Sequence, residues 1–105
     1  MPNLTSLGLS GTQISDVGFR TIRGLRKLAS LNLSHTNISD IGLEDVGELE
    51  SLMWLNLDST KVTDAGLHRL HNLRRLRGIR LKCVGITVAG RRSLNEAIPN
   101  VLIVN

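Results

Sequence analysis

Tyrosine is missing altogether, and aromatic residues make up only 2% of the chain, as Phe19 and Trp54. A core cannot be assembled around a few large rings. It must come from branched aliphatics, and leucine supplies nineteen of the 105 residues, which favours regular layers. Cysteine is nearly absent as well: Cys83 stands alone, so no internal disulfide can form and no oxidising compartment is called for. No apolar run approaches the roughly 18 residues of a membrane span, and no basic segment followed by an apolar one opens the chain. With 41% hydrophobic residues and a mean hydropathy of +0.04, the expectation is one soluble domain of the cytoplasm. Chemistry is missing in the same way. There is no P-loop or GxGxxG string and no recurring Ser/His/Asp or Cys/His set, so neither enzymatic activity nor a cofactor is expected.

Basic side chains are missing from the middle of the chain. The formal net charge of +4 conceals bands: residues 1 to 27 carry four basic and one acidic side chain, 28 to 60 six acidic and no basic, and 61 to 105 nine basic and two acidic. The bands follow a repeat. Leu4, Leu28, Leu52 and Leu76 stand 24 residues apart, and each opens the string L-x-x-L-x-L-x-x-T-x-I with small departures. The register continues through Leu7, Leu31, Leu55 and Ile79, then Leu9, Leu33, Leu57 and Leu81, then Ile14, Ile38, Val62 and Ile86.

Within each string the apolar positions alternate with period two, which suits a short strand burying one face. Ser15, Ser39, Thr63 and Thr87 follow, each able to accept a hydrogen bond from a free N–H at a helix start. Asp16, Asp40 and Asp64 add negative charge beside the positive end of the helix dipole. Apolar residues then recur at helical spacing, as in Leu43, Val46 and Leu49. The units therefore read strand then short helix over 4–27, 28–51, 52–75 and 76–100, with a terminating strand at 101–105. One unit alone has too little apolar surface to be stable, whereas stacked units share a continuous core. Strands about 4.8 Å apart and helices needing roughly 8 to 10 Å between axes force the stack to curve, strands inside.

The string L-x-x-L-x-L-S-x-T-x-I-S/T-D-x-G-L-x-x-L-x-x-L resembles the leucine-rich repeat, in the subtype of the cysteine-containing repeats of F-box substrate receptors and of certain bacterial proteins. Thr12, Thr36 and Thr60 stand where that subtype often has cysteine. The resemblance covers essentially the whole chain. It implies a right-handed α/β solenoid, a curved horseshoe with a parallel β-sheet on the concave face and short helices on the convex face. It also implies binding of other macromolecules along the concave sheet, and no reaction.

Repeat four departs from the pattern. Val84 replaces the threonine, Val88 replaces the aspartate, and Arg91 stands where Phe19, Leu43 and Leu67 stand. A charge at a stacking position is tolerable only where no further repeat covers it, so repeat four reads as the last. At the other end, the first strand edge and the apolar faces of Leu7, Ile14 and Phe19 are expected to be exposed unless further repeats or another chain cover them.

Several repeated residues have a plain structural reading. The threonines satisfy backbone groups at the turn after each strand, and Gly18, Gly42, Gly66 and Gly90 allow close packing in the first helical turn. His68 and His71, three apart on a helix, could share a metal but have no third ligand in evident reach, so no metal site is assigned. Cys83, between Lys82 and apolar neighbours, is either a reactive thiol or, as expected here, a semi-buried structural one. On the helices, Arg26, Glu50 and Arg74 form one column of alternating sign and Arg20, Glu44 and His68 another, which favours correct stacking by ~0.2 to 1 kcal/mol per exposed pair.

The outward positions of the strands are free of the core and vary: Ser6, Ser30, Trp54, Gly78; then Gly8, Asn32, Asn56, Arg80; then Ser10, Ser34, Asp58, Lys82, with His35 and Ser59 next. The leading reading is a protein-interaction surface with Trp54 as anchor, Asn32, Asn56 and His35 as polar contacts, and Asp58, Arg80 and Lys82 as charge selectors. Four strands of about five residues give roughly 300 Å², well below the ~800 Å² per partner of a standard interface, so loops or further repeats must contribute. The alternative is a polyanion or nucleic-acid binder using the basic edge of Arg74, Arg75, Arg77, Arg80 and Lys82. Against it stand the scarcity of aromatic stacking platforms and the acidic second repeat.

Overall fold

The computed structural model describes residues 3–22 and 24–104. Five parallel strands lie side by side in chain order: β1 (Ser6–Gly8), β2 (Ser30–Asn32), β3 (Trp54–Asn56), β4 (Gly78–Arg80) and β5 (Leu102–Val104). Leu7 pairs with Leu31, Leu31 with Leu55, Leu55 with Ile79 and Ile79 with Ile103. Behind the strands lie α1 (Asp16–Phe19) and α3 (Asp64–Leu67), each continued by a 3₁₀ turn, then α2 (Asp40–Val46) and the longer α4 (Val88–Ala97). Repeats two and three form the centre of the core, where Leu33, Ile38, Leu43, Leu57 and Val62 are fully buried. The consensus apolar positions face inward in successive layers, as a parallel right-handed α/β stack requires.

The turn after each strand is built from three recurring contacts. Thr12, Thr36 and Thr60 each donate their hydroxyl to the carbonyl three residues back, at 2.7, 2.7 and 2.8 Å. These hydroxyls therefore satisfy backbone groups, and Val84 has no hydroxyl to do the same. The residue before each threonine adopts left-handed backbone: Gly11, His35 and Ser59 have φ of 71°, 55° and 57°. That conformation aims its N–H at the next repeat, onto the carbonyls of Ser34, Asp58 and Lys82. Cys83 holds the same conformation at φ 59°, and its thiol is exposed, not semi-buried as its sequence neighbours suggested.

The helix starts correct a second expectation. The aspartates do more than sit beside a helix dipole, and the hydroxyls do little capping. Asp16 accepts from the amide of Ser39 at 2.9 Å and its hydroxyl at 2.5 Å. Asp40 accepts from the amide of Thr63 at 2.7 Å and also from its hydroxyl. Asp64 accepts from the amide of Thr87 at 2.9 Å and its hydroxyl at 2.5 Å. Each carboxylate thus clamps its own repeat to the next. Ser15 and Thr63 make no side-chain cap, and Ser39 and Thr87 accept only at 3.4 and 3.2 Å. For Ser39, Thr63 and Thr87 the short, charge-assisted bond to the aspartate sets where the hydroxyl points.

The glycines follow from the clamp. A Cβ on Gly42, Gly66 or Gly90 would lie 2.5, 2.2 or 2.1 Å from Oδ1 of Asp16, Asp40 or Asp64. Only a bare Cα leaves room for the carboxylate to reach across. Ion pairs between helices, by contrast, run diagonally. Arg20 Nε lies 3.9 Å from Asp45 Oδ2, and Arg69 Nη2 lies 3.1 Å from Glu44 Oε1. The columns of Arg26, Glu50 and Arg74 and of Arg20, Glu44 and His68 form no such pairs among the described residues. Long helical side chains lean toward the N-terminus, so each meets a partner set one position along.

The two ends are unlike. Arg91 folds back and donates to the carbonyl of Ile86 at 3.3 Å, and α4 covers the last layer with Leu94 buried. At the start, Leu7 and Ile14 are half-buried, but Phe19 is 0% exposed, contrary to the expectation for all three. Phe19 belongs to the buried core cluster with Leu28, Leu31 and Leu43, and Leu7 and Ile14 only pack against it.

Gly66→Ala is expected to lower the unfolding free energy by about 1 to 3 kcal/mol in urea titration, although alanine is the better helix former. The loss should shrink when Asp40 is also replaced by alanine, because the clash partner is then gone. The Asp64 carboxyl is held below its ordinary value of 3.8 by the Thr87 hydroxyl and then its amide. A depressed acid stabilises fully above its unfolded value and loses that contribution as pH falls through the lower folded one. Asp64→Asn should therefore be less stable at pH 7, and acid titration should show the gap closing below about pH 4. Replacing Ser59 with glycine should raise stability by up to about 1 kcal/mol, and Ser59→Val should lower it, both read from thermal midpoints.

Candidate binding surface

The sheet face is the part of the molecule whose residues the core does not dictate. The first outward column runs Ser6, Ser30, Trp54, Gly78 and Leu102, and the second Gly8, Asn32, Asn56, Arg80 and Val104. The face therefore has two halves. Over β1 and β2 it is small and polar. Over β3 to β5 it is apolar and aromatic: Trp54 is 49% exposed, Leu102 62% and Val104 38%.

Gly78 determines how the tryptophan lies. A Cβ on Gly78 would sit 2.7 Å from both Cε3 and Cζ3 of the indole. The ring is laid across β4, toward Leu102 on the next strand. Strands about 4.8 Å apart place Trp54 and Leu102 roughly 10 Å apart at the backbone, a gap the flat ring spans. Trp54, Gly78, Leu102 and Val104 line a shallow depression together with Asn56 and Arg80 and, from β2, Ser30 and Asn32. Leu102 and Val104 were not assigned to this face from sequence, where 101–105 read only as a terminating strand. The signal was present in the 24-residue step from Gly78 and Arg80.

The polar candidates divide by their commitments. Asn32 Oδ1 accepts from the amide and hydroxyl of Ser34 at 3.0 and 2.8 Å, and Asn56 Oδ1 accepts from the amide of Asp58 at 3.0 Å. Both asparagines hold the turn that follows their strand and are only half-buried. Asp58 is buried, with Oδ1 accepting from the Lys82 amide at 2.8 Å and Oδ2 from Arg80 Nε at 3.0 Å. Its carboxylate orients Arg80, whose side chain is exposed. Lys82 and His35 are exposed at the ends of their strands, away from the depression.

The residues of the basic edge lie in two settings. Arg74, Arg75 and Arg77 line an open groove with Met53, Ile98 and Pro99, whereas Arg80 belongs to the depression and Lys82 lies beyond the strand. His68 and His71 meet with ring centroids 4.5 Å apart and planes tilted by 57°, and partial burial, then the His68 charge, lowers the pKa of His71. Among the described residues no group of three His, Cys, Asp or Glu side chains could hold a metal ion.

A profile of the leucine rich repeat family matches residues 2–62, more than half of the chain. No curated protein matches. Among solved structures, the chain is similar to an internalin of Listeria monocytogenes at 28% identity and a TM-score of 0.81, over 97% of this chain and 41% of that one. A leucine-rich repeat protein of Leptospira interrogans aligns at 23% identity and a TM-score of 0.76, over 97% of this chain and 25% of that one. The tropomodulin C-terminal domain of Caenorhabditis elegans aligns at 18% and 0.67, over 94% and 84%. The last two speak for the fold alone, and the chain spans less than half of either bacterial protein. With the parallel sheet, its 24-residue register and the family match over the first repeats, the chain belongs to the leucine-rich repeat family.

Proposed function

We infer that the chain is a protein-binding module, without catalytic activity, that engages its partner over β3 to β5 of the sheet face. The observation that carries the reading is the indole of Trp54 laid over Gly78 beside the exposed Leu102 and Val104. Large side chains left half in water on the face of an open sheet, from its central to its last strand, cost free energy that burial against a partner recovers, about 25 cal/mol per Å². Aromatic anchors ringed by polar groups dominate protein interfaces. Arg80, held by Asp58, adds a fixed positive charge at the rim, suited to an acidic group on the partner. The small, polar half over β1 and β2 lets a partner approach the backbone closely. Membership of a repeat family that builds interaction surfaces supports the same reading. Among the described residues no helix is long and apolar enough to cross a membrane. A cytoplasmic setting is proposed with it, since the lone thiol of Cys83 is exposed.

A polyanion reading would draw on the groove of Arg74, Arg75 and Arg77. The two differ in salt dependence: phosphate-driven binding weakens by orders of magnitude from low to moderate salt, and an aromatic-anchored contact does not.

Trp54 is the only tryptophan and the chain has no tyrosine, so its fluorescence reports this surface directly. Partner binding should shift the emission to shorter wavelength. Trp54→Ala should weaken affinity at least tenfold, about 1.4 kcal/mol or more, with little change in thermal midpoint. An unchanged affinity in calorimetry would remove the surface from consideration.

A further inference from the structure

We propose that the groove of Arg74, Arg75 and Arg77 is a second binding site, and that it takes an acidic segment of a protein, one in which carboxylates alternate with apolar side chains. The site is separate from the Trp54 surface, and the inference does not rest on that reading.

The groove lies where the last turn departs from the repeat. In repeats one to three the amides of Leu28, Leu52 and Leu76 close the turn after the helix onto the carbonyls of Leu25, Leu49 and Leu73, at 3.1, 3.0 and 3.0 Å. Helix α4 instead runs on to Ala97, in the register of those last three leucines, and the turn closes one residue late, from the Val101 amide to the Ile98 carbonyl at 3.0 Å. Asn100, in the register of the buried Leu76, is exposed, and Val101 is buried in its place. Between the two unlike turns opens a groove of about 1040 Å³, with Met53, Ile98 and Pro99 in its lining. That is the upper end of the ~300 to 1,000 Å³ typical of ligand sites, room for a stretch of peptide and more than one small anion fills.

Among the described residues, none of the three arginine side chains forms an ion pair or hydrogen bond, whereas Arg20, Arg69 and Arg80 pair with Asp45, Glu44 and Asp58. Glu50, Ser51 and Met53 hold the same places in repeat two, so the turn itself does not require arginine. No acidic side chain among the described residues lines the groove, and three guanidiniums there repel one another. An anionic ligand offsets that repulsion, and a planar guanidinium meets a carboxylate through two hydrogen bonds at once.

Two features select a peptide over a nucleic acid. Part of the lining is apolar, and no aromatic side chain among the described residues there offers bases a stacking platform. Glu48 and Glu50 are exposed in repeat two, Glu50 in register with Arg74, and they repel a phosphate chain laid along the stack. A short segment that stays over repeats three and four escapes them.

The experiment measures fluorescence anisotropy of a labelled peptide of alternating glutamate and leucine with the whole chain. The peptide is expected to bind, and Arg74→Gln combined with Arg77→Gln to weaken it at least tenfold without moving the thermal midpoint. Trp54→Ala should leave its affinity unchanged, so this site and the sheet-face reading stand or fall separately. In the unaltered chain, the amide resonances of residues 74–77 and 97–100 are expected to shift as peptide is added, a readout that needs no variant to fold. No binding of the peptide, equal binding when glutamine replaces its glutamates or serine its leucines, or shifts confined to the sheet face would each overturn the proposal. Tighter binding of single-stranded oligothymidylate of the same charge would overturn the choice of a peptide.

Discussion

A carboxylate that opens one helix and accepts both the amide and the hydroxyl that open the next is the contact on which the stacking of this solenoid depends. Leucines in matching layers supply most of the free energy, but apolar contact is indifferent to small slips along the stack. The clamp is not. Two hydrogen bonds to one carboxylate, made at an oxygen spacing fixed by covalent geometry, hold each helix at a defined height and angle to its neighbour. The bare Cα of Gly42, Gly66 or Gly90 is the condition for it, since any side chain there would occupy the carboxylate's place. Aspartate, serine or threonine, and glycine therefore form one device spread over two repeats.

The device has a direction. Aspartates reach forward, and serines, threonines and glycines receive from behind, so a unit can be complete at one face and receptive at the other. Repeat four gives up the aspartate, and its longer helix covers the last layer. Repeat one keeps the receiving pair. The left-handed turns run in the same direction, each N–H donated to a carbonyl of the following repeat. Stacking is thus sewn along two lines in the segment between strand and helix, one at the turn after the strand and one at the helix start.

Freed from packing, the sheet face can differentiate along its length. Its polar residues are partly spent on the turns: Asn32 and Asn56 hold backbone amides, and Asp58 is buried under Arg80 and the Lys82 amide. The Trp54, Leu102 and Val104 cluster, beside an Arg80 oriented by Asp58, is the large exposed part of this face. An aromatic ring already laid over a glycine, with the nearest charge pre-paired, would lose little side-chain entropy in the proposed contact.

Periodicity alone determined the repeat length, the inward leucines, the parallel pairing of β1 to β4 and the task of the threonines, because all of these follow from one residue type recurring at one spacing. Phe19 is buried, against the expectation from its place in the first repeat, because its helix position faces the core shared with repeat two. The partners of Asp16, Asp40 and Asp64, the diagonal Arg69–Glu44 pair, the burial of Asp58 and the lie of Trp54 over Gly78 were decided only by the tertiary structure. Each depends on where side chains of adjacent repeats meet in space, and that is set by the curvature and offset of the stack, which a linear register does not contain.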